Sequence, residues 1–182
     1  MSVKTFYVSF LLIALVSCGG GGESTSTPTT PPPTVTQPEP IVYQGVFIDS
    51  AVENLAYNTA TQTGNTSNTG EFNYQINENV IFSIGDITFP ETPALALLTP
   101  LAVFNTTDIN HASVVNMLRL LQSLDTDGNA TNGIQIPDIA HALATGLTVD
   151  FSSDQFDDQV ASVIENSGGY YQTLISAQEA NY

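Results

Sequence analysis

Oxygen-bearing side chains alternate along one short segment, with a spacing typical of a cation-binding loop. Asp125, Asp127 and Asn129 are separated by single residues, and Gly128 permits a sharp turn between them. Such a turn can direct three side-chain oxygens at one hard cation, at the distance of about 2.3–2.6 Å that Ca²⁺ prefers. The pattern therefore predicts a calcium loop, to which Asp138 would add a fourth ligand.

The segment resembles half of an EF-hand loop and departs from it at two positions. With Asp125 as position one, position six is Ala130, where an EF-hand has glycine, and position twelve is Ile136, where it has glutamate. Asp138 supplies the missing carboxylate only if the loop is longer or wound differently. We therefore expect weak calcium binding, with a Kd of about 10⁻⁴–10⁻³ M. The alternative is a plain turn in which Asp, Asn and Gly satisfy the ends of the neighbouring helices.

The two histidines, His111 and His141, are further residues that could hold a catalytic metal. Together with Asp138 they would form the centre of a small metal-assisted hydrolase. The sequence, however, has no two histidines at metal-ligand spacing, no G-x-S-x-G and no H-E-x-x-H. We therefore expect a protein that is not an enzyme, and the hydrolase remains the alternative.

The net charge restricts the class of partner. The chain has 18 acidic and two basic residues, a formal charge of −16. Removal of residues 1–17 as a signal peptide would take away Lys4 and leave Arg119 as one base against 18 acids, which gives −17. Such a charge excludes nucleic acid as a partner and favours cations. We expect Arg119 to pair with an acid of the loop or of the last predicted helix.

The N-terminal segment has the features of an export signal. Residues 6–16 are apolar, follow Lys4 and fall short of the roughly 20 residues that span a bilayer. The segment ends in Leu15-Val16-Ser17-Cys18, which resembles the lipobox of bacterial lipoproteins. The resemblance implies removal of residues 1–17, lipidation of Cys18 and anchoring in a membrane. Gly19, and not Asp, follows the cysteine. This resembles the pattern of lipoproteins that Gram-negative bacteria sort to the outer membrane, and the inner membrane is the alternative.

Residues 18–40 contain the lipidated cysteine followed by a linker. The linker consists largely of glycine, serine, threonine and proline, including Pro31-Pro32-Pro33. Proline-rich chain favours the extended polyproline II form at about 3.1 Å per residue, so the linker could extend up to roughly 60 Å. We expect a stalk that separates the folded region from the lipid, and a glycosylated or proline-recognition segment is the alternative.

Residues 41–99 predict a small antiparallel β-sandwich. Side chains alternate over short stretches, and the turn signals Gly64-Asn65 and Asn68-Thr69-Gly70 separate them. Alternate placement assigns most of the aromatic side chains to the core, and a glycan-binding platform is the alternative. The predicted strands are residues 43–48, 55–57, 70–74 and 80–84.

Residues 100–182 predict a helical subdomain of about three helices, which makes the fold class α+β. Apolar residues on one face predict a helix over residues 112–124, and Pro137 and Gly146 bound a second helix. The third begins at the capping box Ser152-x-x-Gln155 and ends at Gly168-Gly169. A further capping box, Ser176-x-x-Glu179, has too few residues after it for a stable helix. We expect either that this end packs irregularly or that the chain is the front part of a longer protein.

The sandwich half resembles a known family. Residues 45–57, 64–66 and 70–74 resemble the carboxypeptidase-regulatory-like, prealbumin-type β-sandwich. With residues 82–86, 99–101 and 117–129 included, the chain is similar to surface lipoproteins and to N-terminal modules of larger secreted proteins in Gram-negative bacteria. The resemblance implies an accessory module outside the cytoplasm, and it brings no catalytic residues.

These observations favour a lipid-anchored binding module of the cell envelope, related to adhesion, with a weak calcium loop. The membrane is one expected partner, through the lipid on Cys18, and a protein or a glycan at the cell envelope is another. The location would be the outer membrane, on its periplasmic side or at the surface. A structural spacer or assembly subunit is the alternative from a third class.

Overall fold

Ten short strands and four helices make up the part of the chain that the computed structural model describes, residues 39–180. The α+β class predicted from the sequence is confirmed. The strands are β1 (Tyr43–Phe47), β2 (Val52–Glu53), β3 (Ala56–Asn58), β4 (Thr63–Asn65), β5 (Glu71–Tyr74), β6 (Asn79–Ile84), β7 (Ile87–Thr88), β8 (Thr92–Pro93), β9 (Leu97–Leu98) and β10 (Ile134–Gln135). The helices are α1 (Pro100–Val103), α2 (Ala112–Ser123), α3 (Asp138–Leu143) and α4 (Phe156–Asn166).

Within residues 39–180 the strands form two larger sheets and one small one. One larger sheet has the order β5-β1-β9, and the other has the order β4-β3-β6-β7 with β8 also paired to β6. Most pairs are antiparallel, but β1 with β9 and β2 with β10 are parallel. Gly45 is required in β1, because a Cβ there would lie 2.4 Å from the Leu95 carbonyl oxygen and 2.6 Å from the Phe72 ring.

Aromatic side chains from the two larger sheets meet in the core. Phe47 of β1 and Phe72 of β5 lie in one sheet, and Phe82 of β6 lies in the other. The ring centroid of Phe82 is 4.9 Å from that of Phe47 and 5.2 Å from that of Phe72. All three side chains are buried, as their alternate placement along the strands predicts. These contacts hold the sheets together as a β-sandwich.

The helical half follows the predicted apolar faces closely. Helix α2 covers almost all of the predicted range 112–124, and Pro137 is the residue immediately before α3. Helix α1 was not predicted, because it is only four residues long. Its signal is a threonine followed by a proline: the Thr99 side chain accepts a hydrogen bond from the Ala102 N–H, and Pro100 occupies the first helical turn.

Two local predictions were wrong. Helix α4 begins at Phe156 and not at the capping box, because the Ser152 hydroxyl donates to the Asp150 carboxylate and so does not cap the helix. The predicted turn at Gly64-Asn65 is instead part of β4, and the turn lies just before it, where the Thr59 N–H bonds to the Gln62 carbonyl oxygen. Glycine fits at position 64 because a Cβ there would lie only 3.1 Å from the Tyr57 hydroxyl oxygen.

The second predicted capping box forms in full although it begins no helix. The Ser176 N–H and hydroxyl both donate to the Glu179 carboxylate at 2.8 Å, and the Glu179 N–H donates to the Ser176 hydroxyl at 3.3 Å. Residues 176–180 therefore make a single closed turn.

One hydrophobic core extends through residues 39–180. Apart from β10, the strands precede the helices, and buried side chains from α2, α3 and α4 belong to the same core as those of the sheets. In this part of the chain no helix is long and apolar enough to cross a bilayer. The predicted signal peptide, Cys18 and nearly all of the linker lie outside the described residues.

Candidate functional site

Three of the four predicted calcium ligands, Asp125, Asp127 and Asn129, lie in the connection between α2 and α3, residues 125–135, which we call the acidic loop. The loop leaves α2, makes a 3₁₀ turn at Ala130–Asn132 and returns to the sheets as β10, which pairs with β2. Gly128 has a φ of +71°, and a Cβ there would lie 2.5 Å from the ring of Tyr170. Glycine at this position therefore serves both the turn and the packing.

Asp125 ties the two ends of the acidic loop together. Its side chain is buried, with 1% exposure, and its two carboxylate oxygens accept the Asn129 and Gln135 N–H groups, each at 2.9 Å. Its backbone carbonyl oxygen accepts the Tyr170 N–H at 2.8 Å. Asp125 therefore closes the acidic loop and fastens it to β10 and to the residues after α4, 167–180, which we call the C-terminal segment.

Asp127 lies beside Asp125 but is exposed. One of its oxygens accepts the same Asn129 N–H at 2.9 Å, and the other accepts the Asn132 amide at 2.9 Å. Burial raises the pKa of Asp125 above its ordinary value, and the neighbouring Asp127 adds to this rise. The Asn132 amide and the Asn129 N–H hold the pKa of Asp127 below its ordinary value. The two carboxylates therefore share one N–H donor, and the presence of Asp127 makes ionisation of Asp125 less favourable.

The other two predicted ligands, Asn129 and Asp138, do not lie beside the two carboxylates in the same way. The Asn129 side-chain oxygen accepts the Thr131 hydroxyl at 2.6 Å, so it is bonded inside the loop. Asp138, in the first turn of α3, accepts a hydrogen bond from the Asn54 amide at 2.9 Å. The structure brings Asp125, Asp127 and Asn129 into one turn and places Asp138 in a separate group of contacts. Among residues 39–180, no three acids, histidines or cysteines converge as a metal site.

The contacts that hold Asp138 form a second polar connection, which we call the Asn54 junction. Asn54 has a φ of +62°, and its amide donates to the Ile136 carbonyl oxygen and to Asp138, each at 2.9 Å. His141 of α3 donates from Nε2 to the Asn54 carbonyl oxygen at 2.8 Å, and its Nδ1 accepts the Gly85 N–H at 3.1 Å. Asn54, Asp138 and His141 therefore fasten α3 to the connection between β2 and β3 and to the turn between β6 and β7.

His111 has different neighbours from His141. It lies at the start of α2 and stacks on Phe104, with ring centroids 6.4 Å apart. The structure therefore places the two histidines in separate surroundings, one in a ring contact and the other in the Asn54 junction.

The predicted ion pair of Arg119 is confirmed. Its guanidinium donates to both oxygens of Asp157 in α4, at 2.8 and 3.0 Å. It also donates to the Ile175 carbonyl oxygen at 2.7 Å and to the Asn116 side chain at 3.0 Å. Arg119 thus joins α2, α4 and the C-terminal segment, and these partners lie outside the acidic loop.

No protein-family model matches the chain, and no curated protein and no solved structure matches it either. The resemblances to a lipobox and to a prealbumin-type sandwich therefore rest on the residues in which they are seen. Neither the acidic loop nor the Asn54 junction is matched to a site of known function.

Proposed function

We propose that this protein is a lipid-anchored, non-enzymatic binding module of the bacterial cell envelope. The run Leu15-Val16-Ser17-Cys18 supports the anchor, and the proline-rich linker supports a stalk. Several acyl chains on one cysteine would hold the protein firmly, because each buried CH₂ contributes about 0.8 kcal/mol and stable anchoring needs more than one chain. The folded residues would then stand away from the outer membrane, where they meet a partner.

The observation that carries the binding role is the pair of carboxylates in the acidic loop. Asp125 is buried, Asp127 lies beside it, and the one base among residues 39–180, Arg119, is engaged by Asp157. A cation at the loop would offset the repulsion between the two carboxylates and the burial of Asp125. Ca²⁺ suits carboxylate and amide oxygens, and the exposed bonds of Asp127 and Asn129 can be exchanged for it.

Calcium binding at this loop should be weak. The four oxygens of Asp125 and Asp127 already accept hydrogen bonds, and Asp138 is held by Asn54. A cation would therefore have to displace the Asn132 or Thr131 donors before it gains its ligands. The expected Kd of about 10⁻⁴–10⁻³ M is in the range of extracellular modules. It suits a site filled by the calcium of the cell exterior.

The anchor is tested by labelling cells with palmitate and isolating the full chain. The wild type should incorporate the label, sediment with the outer membrane and begin at Cys18. A Cys18→Ser variant should lose the label and keep residues 1–17, whereas Ser26→Ala, a linker change outside the lipobox, should behave as wild type. An unlabelled wild-type protein, or a Cys18→Ser variant labelled as strongly as wild type, would contradict the proposal.

A further inference from the structure

A cavity lies next to the acidic loop, on the side that faces the C-terminal segment. Its volume is about 390 Å³, within the range of small-molecule sites. Four segments that are distant in the sequence line it. They are the turn after β1 with Asp49, helix α2 with Gln122, the acidic loop with Asn129, and the C-terminal segment with Tyr171, Ile175 and Glu179.

The cavity has two carboxylates in its wall. Asp49 is half-buried and accepts a hydrogen bond from the Gln122 amide at 3.2 Å, and burial raises the pKa of Asp49 above its ordinary value. The Ser176 backbone N–H and hydroxyl hold the pKa of Glu179 below its ordinary value, so Glu179 is charged at neutral pH. A positive group in the cavity would therefore offset a negative charge whose burial is costly.

The rest of the wall indicates an organic cation in preference to a bare ion. Tyr171, Ile175 and Ala130 contribute apolar surface, and Asn129 and Thr131 contribute polar groups. A calcium ion needs several oxygens within about 2.3–2.6 Å, and a cavity of this volume is far larger than such a cage. An ammonium or guanidinium group on an apolar stem matches both parts of the wall.

The cavity is held open by hydrogen bonds outside it. The Ile175 N–H donates to the Ser123 hydroxyl at 3.0 Å, and Arg119 donates to the Ile175 carbonyl oxygen at 2.7 Å. The Tyr170 N–H donates to the Asp125 carbonyl oxygen at 2.8 Å. These bonds fix the C-terminal segment on α2 and on the acidic loop, so a ligand would enter a preformed site.

We propose that this cavity binds an ammonium or guanidinium group on a short apolar stem, with the cation between Asp49 and Glu179 and the stem on Tyr171 and Ile175. This inference rests on the binding role proposed for the module, and it identifies the chemistry of the ligand. The same chemistry is found in a small free amine and at the end of a lysine or arginine side chain of a protein partner.

The test is a calorimetric titration of the full chain, purified in detergent, with three probes. They are 1,5-diaminopentane, the capped tripeptide acetyl-Gly-Lys-Gly-amide and, as an uncharged control, 1,5-pentanediol. Both amines should bind and the diol should not. Tighter binding of the tripeptide supports a protein side chain as the source, and tighter binding of the diamine supports a small amine. Binding of the diol as strongly as the diamine would overturn the proposal.

Two double variants test whether binding depends on the carboxylates of the cavity or only on the overall negative charge of the protein. The double change Asp49→Asn and Glu179→Gln should weaken binding of the diamine at least tenfold. The matched double change Asp158→Asn and Glu165→Gln removes the same charge from exposed positions of α4 and should leave the affinity within twofold. Equal losses in both proteins would overturn the proposal.

A measurement on the wild type keeps the test independent of variant folding. In amide NMR spectra, the diamine should shift the signals of Asn129, Tyr171 and Ile175 and leave those of β4 unchanged. Shifts that avoid these three residues would overturn the proposal. A chain that is lipidated and responds to calcium but binds neither amine would refute only the amine site in the cavity. A chain that binds the amines but carries no lipid would refute only the lipid anchor.

Discussion

The acidic loop and the Asn54 junction both connect the sheets to the helices, but they use polar side chains in opposite ways. In the Asn54 junction an amide, an imidazole and a carboxylate are matched donor to acceptor. In the acidic loop two carboxylates share one N–H, and the pKa of the buried one is raised by its burial. Matched groups indicate a structural role, whereas the crowded carboxylates are the groups at which we propose that a cation binds.

The largest effect is expected at Asn54, where the side-chain bonds and the backbone conformation depend on one residue. Asn54→Ala removes both amide hydrogen bonds and places alanine at a φ of +62°. The free energy of unfolding should fall by about 2–4 kcal/mol, as measured by chemical denaturation.

Asn54→Gly is the matched control, because it removes the same bonds but tolerates the left-handed conformation. It should be less destabilising than Asn54→Ala by about 1 kcal/mol. Equal losses in the two variants would mean that the backbone conformation of Asn54 contributes nothing.

Asp125→Asn should have the next largest effect. The variant keeps one acceptor oxygen but turns an amide N–H₂ towards either the Asn129 or the Gln135 N–H, so we expect a loss of about 1–3 kcal/mol. The loss should depend on pH. Because the folded protein raises the pKa of Asp125, the stability that its protonated form contributes is present in acid and is lost as the pH rises through the raised pKa.

Denaturation of both proteins between about pH 4 and pH 7 checks this sign. The difference in unfolding free energy between wild type and Asp125→Asn should shrink as the pH rises. A difference that grows with pH would show that the two backbone N–H groups stabilise the charged form more than burial opposes it.

The Arg119 pair should contribute less, because the side chain of Asp157 is 62% exposed. Arg119→Ala also removes the bond to the Ile175 carbonyl oxygen, so the unfolding free energy should fall by about 1–2 kcal/mol. Arg119→Lys retains the charge but cannot form the bidentate hydrogen bonds to both oxygens of Asp157. It should therefore recover less than half of the unfolding free energy that Arg119→Ala loses. A lysine variant as stable as wild type would mean that charge alone suffices.

The elements that the sequence predicts well are those set by local patterns. One apolar face defines α2, alternation of buried and more exposed residues defines β1, β5 and β6, and a proline precedes α3. The pairing of β2 with β10 could not be predicted, because it joins two residues to two others about eighty positions away without a distinctive pattern. Short strands of this kind are fixed by the packing around them.

The sequence predicted only the part of the candidate site that depends on local spacing. The alternation of Asp125, Asp127 and Asn129 is local, and the structure does bring their backbone and side chains into one turn. Asp138 follows on in the sequence, yet Asn54 holds it from another strand connection. The cavity depends on four distant segments, so no spacing in the sequence could have indicated it.

Calcium-dependent unfolding tests the role of the acidic loop most directly. At about 10 mM Ca²⁺ and pH 7, a site with a Kd of about 10⁻⁴–10⁻³ M should stabilise the wild type by about 1.4–2.7 kcal/mol. Asp127→Asn should change the stability without calcium only slightly, because the hydrogen bonds that it weakens are offset by relief of the repulsion on Asp125. It should remove most of the calcium response. We expect a large shift in the wild type and a small one in Asp127→Asn, and equal shifts in the two proteins would contradict calcium binding at the acidic loop.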